Sequence, residues 1–244
     1  MDFVTHIVKY NNSTNGRDKL CRVFQYGSKF GWWFCDISGK DPELVLKLKN
    51  LESALSATRK VLRFGKSLDL LQGALKSVHL SDTVLRLTIT LSKINQACYL
   101  LLDHVVWMGK VGLMKVDTKK YSMMAARFWL VTLIFNLTRN LYDIYNILTA
   151  EIERRAKKKE QYSSNGGVSS SVSRPYKHQE LLKQCVVENK PVFVDTLKNA
   201  TDLTLPMAVL GYWNTSPGFQ GIMGVISSLA GMAVAWNATL KLVP

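Results

Sequence analysis

The residue types that most often do chemistry are present in this sequence but do not gather. His6, His79, His104 and His178 are scattered, and neither His79 with Asp82 nor Asp103 with His104 comes with a nucleophile or a third orienting group. The glycines make no phosphate-cradling loop of the G-x-x-x-x-G-K-[ST] kind and no G-x-G-x-x-G turn. Cys21, Cys35, Cys98 and Cys185 lie far apart, with no C-x-x-C pair and no histidine at ligand spacing, and read as reduced, buried small hydrophobes. The expectation is a protein that is not an enzyme and uses no metal and no cofactor. A different chemistry is written between Thr58 and Val78. There Arg59, Lys60, Arg63 and Lys66 interleave with Val61, Leu62, Phe64, Leu68, Leu71 and Leu75. Val61, Phe64, Leu68, Leu71, Leu75 and Val78 recur at three and four residues, which sets them on one helix face with Arg59, Arg63 and Lys66 elsewhere. Such a helix packs in a soluble core or lies in a membrane interface, apolar side in the acyl boundary and cations among anionic headgroups.

Charge and composition favour the second. Among 244 residues, 32 Lys and Arg face 18 Asp and Glu, a formal charge of +14. The basic residues are spread over several segments and carry no nucleic-acid motif, so nucleic acid is not the expected partner. A hydrophobic fraction of 47% with six Trp suits an anionic phospholipid membrane. The opening residues lack a charged region followed by an apolar one, so the N-terminus is expected in the cytosol, with the sequons at Asn12, Asn136, Asn199, Asn214 and Asn237 unglycosylated. The last residues are not a peroxisomal S-K-L signal.

The elements that must position these residues are all helical. Asn15 to Phe34 reads as a helix capped by Asn15, with Leu20, Phe24, Gly27 and Phe30 as its apolar face. Asp41-Pro42-Glu43 starts a second, whose stripe of Leu44, Leu48, Leu51, Leu55 and Leu62 should pack on neighbouring helices before the apolar face rotates near Gly65. Ser81-Asp82 caps a third, with Val84, Leu87, Leu91, Ile94, Cys98, Leu101, Val105 and Met108 in line. A fourth runs from about Asp117 to Lys158, with Arg139 and Asp143 placed to pair. After it come a basic run (Arg154, Arg155, Lys157, Lys158, Lys159), a Ser/Gly-rich linker, and short helices at Glu180 to Glu188 and Pro191 to Leu203. Phe219 to Trp236 is the transmembrane candidate, and Gly221, Gly224, Ser228, Gly231 and Ala235 give it a smooth face suited to self-association. The expected architecture is all-α: a bundle of long amphipathic helices over 1–153, a linker over 154–177, and C-terminal helices over 178–244 with a membrane-embedded helix at 219–236.

With these segments in place, the sequence resembles the peroxisomal membrane protein 11 (peroxin-11) family. The matching stretches are Gly16 to Arg22, Leu55 to Lys66, Leu91 to Leu113 with Asp103 and Trp107, Asn136 to Asp143, Lys198 to Leu203, and Pro217 to Ser228. The resemblance implies a peroxisomal membrane protein, multi-pass or anchored, with both termini cytosolic, that elongates peroxisomes and promotes their fission and proliferation. It implies self-association into a homo-oligomer, and recruitment of a fission adaptor and a dynamin-related GTPase. The family's membrane-remodelling helix matches about Thr58 to Val78, so Arg59, Lys60, Arg63 and Lys66 carry over as lipid-facing cations, and Leu62, Phe64 and Leu68 as insertion residues. Some relatives end in a dilysine coat-binding signal; here only Lys241 stands near the end. The alternative function is a channel for small metabolites, in which Arg86, Lys93, Asp103, Arg139 and Asp143 would line a watery path.

Overall fold

A computed structural model describes the backbone of residues 3–164 and 178–242, and the side chains of 4–157 and 183–242. The linker's core, including Gly166 and Gly167, lies outside the described residues. Among them the chain makes nine α-helices, one 3-10 turn and no strand. They are α1 (Phe3–Asn12), α2 (Thr14–Ile37), α3 (Pro42–Leu62), α4 (Lys66–Ser77), α5 (Thr83–Val111), α6 (Thr118–Ser164), α7 (His178–Glu188), α8 (Lys190–Val209) and α9 (Pro217–Trp236).

Local signals set most of the boundaries. Asp41 caps α3 by accepting from the Glu43 N–H at 3.0 Å, with Pro42 in the first turn where no N–H is needed. Asp82 does the same for α5 through the Leu85 N–H at 2.9 Å. The rotation near Gly65 is a true break: Gly65 sits at φ +77°, in the left-handed region that glycine enters freely, and α4 restarts beyond it. Other boundaries differ from the sequence expectation. Ser13 rather than Asn15 caps α2, its hydroxyl accepting from the Gly16 N–H at 2.9 Å, and the helix runs on to Ile37. α8 continues through Pro206 to Val209, six residues past the expected end. α1 was not expected, although Val4, Ile7 and Val8 stand at helical spacing within it.

The helices close into a ring. α2 packs on α3 and α9, α9 on α8, α8 on α6, α6 on α5, and α5 on α4, which continues α3 across the Gly65 elbow. Counting α3 and α4 as one pole, six poles alternate in direction. The side-chain pairs show the register: Trp33 meets the start of α9 at Gly218, Arg22 meets Asp202 midway along, and Tyr10 meets Trp236 at the other end, their ring centroids 5.6 Å apart. α5 and α6 form an antiparallel hairpin tied by Ser92 to Asn136 at 2.5 Å and Tyr142 to Asp82 at 2.7 Å.

Much of the ring's outer surface is apolar, and its interior gathers polar and charged side chains among apolar ones such as Ile89, Leu100 and Leu133. On α2 the buried residues are Gly16, Asp18, Arg22, Gln25 and Ser28, while Phe24 of the expected apolar face points outward. On α5, Thr88, Ser92, Asp103 and His104 are buried, and Val84, Leu87, Leu91, Ile94 and Leu101 of the predicted stripe are exposed. The earlier stripe on α3 is divided, with Leu48, Leu55 and Leu62 half-buried and Leu44 and Leu51 exposed. In water this distribution would forfeit most of the hydrophobic driving force. Surrounded by lipid, it leaves apolar side chains in hydrocarbon and shields polar ones from it.

Candidate functional site

The segment singled out in the sequence lies at the heart of this arrangement, with its basic face, expected among headgroups, turned inward. Arg59 near the end of α3, Arg63 just after it and Lys66 at the start of α4 all look into the ring across the Gly65 break. Arg59 donates from Nε to Asp18 Oδ1 at 3.1 Å and from Nη1 to Gln25 Oε1 at 2.7 Å, so α3 is fastened to α2. Lys60 pairs with Asp103. Arg63 reaches the same carboxylate through Nη2 at 2.7 Å and donates to the Tyr99 hydroxyl at 3.2 Å, fastening the end of α3 to α5. Lys66 approaches Asn15 Oδ1 at 3.3 Å. Assigning these four cations to lipid headgroups is therefore corrected: three are held by buried carboxylates, and the fourth faces α2.

The apolar half of the same segment lies outside. Val61, Phe64, Leu68, Leu71 and Leu75 form one exposed ridge that crosses the Gly65 elbow, with Phe64 61% and both Leu68 and Leu75 70% exposed. Ser67, Ala74 and Ser77 are the side of α4 that packs on α5. Leu62 is half-buried and does not join the ridge. Phe64 also meets His104 with the rings tilted at 49° and centroids 4.4 Å apart, and His104 Nε2 lies 3.1 Å from the Lys60 carbonyl. His104 is thus a buried structural histidine with no nucleophile beside it.

The inward groups of α2, α3, α5, α6 and α8 surround a cavity of about 280 Å³ at mid-height. Asp18, Arg22, Arg59, Arg63, Asp103 and Asp202 are its charged wall, and Gln96, Tyr99, Asn136 and Asn199 are neutral polar members. Arg22 pairs with Asp202 and lies over the Tyr26 ring, 5.5 Å from its centroid. Asn199 donates to Asp195 at 2.6 Å and Asn140 donates to the same oxygen at 3.2 Å, knitting α8 to α6. Of the five charges expected to line a path, only Asp103 does so. Lys93 instead donates to the Gly73 carbonyl at 2.8 Å, and Arg139 meets Asp143 at 3.5 Å as the i,i+4 spacing suggested. Asp18, Arg22, Gln25 and Asp202 were not expected in the interior; the signal for the three on α2 is a polar stripe at spacings of four and three, legible only once polar faces are allowed to point inward.

The smooth face of α9 is also occupied within the chain. A Cβ at Gly224 would stand 2.2 Å from the Tyr26 ring, one at Gly221 2.7 Å from the Phe30 nitrogen, and one at Gly231 3.2 Å from Lys19 Cε. Ser228 is fully buried, its hydroxyl turned back to the Gly224 carbonyl, and Ala235 borders a recess with Lys241. These residues seat α2, so they are not available as a surface for a second copy.

Pro217–Trp236 is one helix, among the described residues, long and apolar enough to cross a membrane by itself. At about 30 Å for 20 residues it matches the hydrocarbon thickness. Fold and site together define a class: a helical membrane protein with an apolar exterior and a charged interior. The family model for Peroxisomal biogenesis factor 11 (PEX11) matches residues 4–236, and the chain belongs to that family. It is 35% identical to Peroxisomal membrane protein 11B of Homo sapiens, covering 97% of this chain and 98% of that one. Peroxisomal membrane protein 11A of Homo sapiens is 31% identical over 96% of this chain and 97% of its own, and Peroxisomal membrane protein PMP30A of Candida boidinii 27% identical over 97% and 95%. No solved structure matches. The chain is a peroxisomal membrane protein of this family.

Proposed function

We propose that this chain reshapes the peroxisomal membrane, elongating the organelle and promoting its fission, by means of the apolar ridge Val61–Phe64–Leu68–Leu71–Leu75. The observation that carries this reading is the exposure of all five side chains while Arg59, Lys60 and Arg63 between them are paired with carboxylates inside the ring. α4 has 12 residues and is about 18 Å long, short of the hydrocarbon core of about 30 Å, so the ridge occupies one part of the bilayer's depth more than the other. Volume added unevenly across the two leaflets curves the membrane. Burying each ridge residue is worth at most about 1.5 to 3 kcal/mol. The paired cations Arg59, Lys60 and Arg63 add nothing comparable, because a headgroup would have to displace Asp18 or Asp103; lipid association through this segment accordingly depends only weakly on salt. Self-association, a fission adaptor and a dynamin-related GTPase belong to the same proposal, with the contact between copies placed away from the α9 glycines. In proteoliposomes viewed by electron microscopy, wild-type chain produces tubules, and Phe64→Glu with Leu68→Glu incorporates but leaves spheres. Tubules of equal abundance with the double variant overturn the reading.

A second reading, passage of small metabolites, is favoured by one feature, the polar cavity inside the ring. Planar-bilayer conductance tests it: currents above those of empty bilayers, reduced by Leu100→Trp at the cavity wall, support a path, and silent bilayers exclude it.

A further inference from the structure

The cavity carries more positive charge than its own wall neutralises. Seven cations and three carboxylates line it. Asp18 serves Arg59 and Arg63, Asp103 serves Lys60 and Arg63, and Asp202 serves Arg22. Lys198 turns to Asp195, which is not part of the wall. Two cations are left over. Lys19 has no carboxylate within ion-pair distance among the described residues, and Lys66 meets only the neutral Asn15 oxygen. Arg22, 6% exposed, adds a buried Nε–H with no acceptor. Positive charge only partly exposed to water and left unmatched is costly, and a ligand that supplies the missing acceptors relieves the cost.

An approach to these groups exists. Asn15, Lys19, Lys198, Ala235 and Lys241 line a recess between α2, α8 and α9. Lys19 and Lys198 belong to both the recess and the cavity, and the recess contains no carboxylate. It lies at the end of the ring where Tyr10 meets Trp236. The charged groups of the recess are thus all cations, and Lys19 and Lys198 lead from it into the cavity that Arg22 lines.

We propose that the interior cavity is a binding site for a compact phosphate-bearing anion, held by Lys19, Lys66 and Arg22 and reached past Lys198 and Lys241. Phosphate oxygens are several strong acceptors on one small, multiply charged group, which suits two point-charge ammoniums and one guanidinium N–H. The volume of about 280 Å³ is at the lower end for small-molecule sites and excludes an intact lipid, although a lipid could place its phosphate there. The site stands on the charges of the wall and holds whether or not the ring conducts solutes.

Equilibrium binding of inorganic pyrophosphate to the full chain in phosphatidylcholine nanodiscs, read by calorimetry, tests it. The wild type binds, and Lys19→Gln with Lys66→Gln weakens binding tenfold or more, while Lys47→Gln on the exposed surface of α3 leaves it unchanged. Circular dichroism establishes that the double variant is helical. Should that variant not fold, pyrophosphate protection of Lys19 from acylation in the wild type, read by mass spectrometry, takes its place. Adding phosphatidic acid to the nanodiscs separates the sources: loss of pyrophosphate binding assigns the phosphate to a lipid headgroup, and unchanged binding assigns it to a soluble compound. Failure of the wild type to bind pyrophosphate in either nanodisc, equal binding by wild type and double variant, or acylation of Lys19 unaffected by pyrophosphate overturns the proposal.

Discussion

Arg63 and Asp103, forty positions apart, meet at 2.7 Å across the gap between α3 and α5, and the same carboxylate holds Lys60. Replacing Asp103 by Leu leaves the buried Lys60 without its counter-charge and Arg63 with only the longer contact to Asp18, at 3.8 Å. Breaking a buried pair in this way costs about 3 to 5 kcal/mol, whereas replacing all partners by apolar groups of similar volume is often neutral. Thermal unfolding in detergent should therefore show Asp103→Leu strongly destabilised and the triple variant Asp103→Leu, Lys60→Met, Arg63→Met largely restored. The exposed Glu43–Lys47 pair on α3 offers the contrast, since its removal should change stability by at most about 1 kcal/mol. If the single and triple variants at Asp103 unfold together, the pairing is not what fastens α3 to α5.

The seat of α9 on α2 makes a second, sharper contrast. Gly224 has no room for a methyl, because the Tyr26 ring stands where the Cβ would go, whereas Gly27 on the outer face of α2 has nothing within 4 Å. Gly224→Ala should cost about 1 to 3 kcal/mol through overpacking. Gly27→Ala should stabilise by about 0.5 to 1 kcal/mol, because alanine loses less backbone freedom in a helix. Denaturation midpoints that move in the same direction for both would contradict the packing described.

How much of this the sequence disclosed depends on which physical quantity is asked for. Helix positions follow from local chemistry, and Asp41-Pro42, Asp82 and Gly65 marked their boundaries correctly. Periodicity likewise separated Val61, Phe64 and Leu68 from Arg59, Arg63 and Lys66. It could not say which face points inward, since a helix has the same two faces in water and in lipid. The sign of the answer depends on the surrounding solvent, and the habit of turning Phe24 inward on α2 gave the wrong sign. Nor does spacing within one helix disclose that Arg59 will meet Asp18 or that Arg22 will meet Asp202, 180 positions away. The α9 glycines were rightly read as an allowance for close approach. That the approaching helix is α2 of the same chain is a property of the closed ring.

A pH dependence can be placed outside the ring's interior, at the cap of α5. The Leu85 N–H, and after it the Tyr142 hydroxyl, hold the Asp82 carboxyl below the usual aspartate range. A depressed folded value means that the stabilisation is fully present above the ordinary aspartate value of about 3.9 and is lost as the pH falls through the folded one. Asp82→Ala should lower the unfolding temperature at pH 7, and the difference from wild type should shrink below about pH 4. A difference that stays constant down to pH 2 would mean that the charge of Asp82 contributes nothing.

The even number of poles leads to a statement about topology. α2 ascends, the α3–α4 pole descends, and the alternation through α5, α6 and α8 brings α9 back down, so that Trp236 ends beside His6 and Tyr10, with ring centroids 5.9 and 5.6 Å apart. Ser81, in the turn before α5, lies at this same end, because Tyr142 on α6 reaches Asp82 there. Gly39, Gly112 and Gly211, each at positive φ in the turns after α2, α5 and α8, lie at the opposite end. If the ring spans the bilayer, a membrane-impermeant thiol reagent applied to intact peroxisomes should label a cysteine at position 6, 81 or 241 alike, in a chain whose four native cysteines are replaced by serine, and should leave cysteines at 39 and 112 unlabelled. Labelling of 39 and 81 from the same side would show that the ring lies on the membrane instead of through it, and the polar cavity would then face no second compartment.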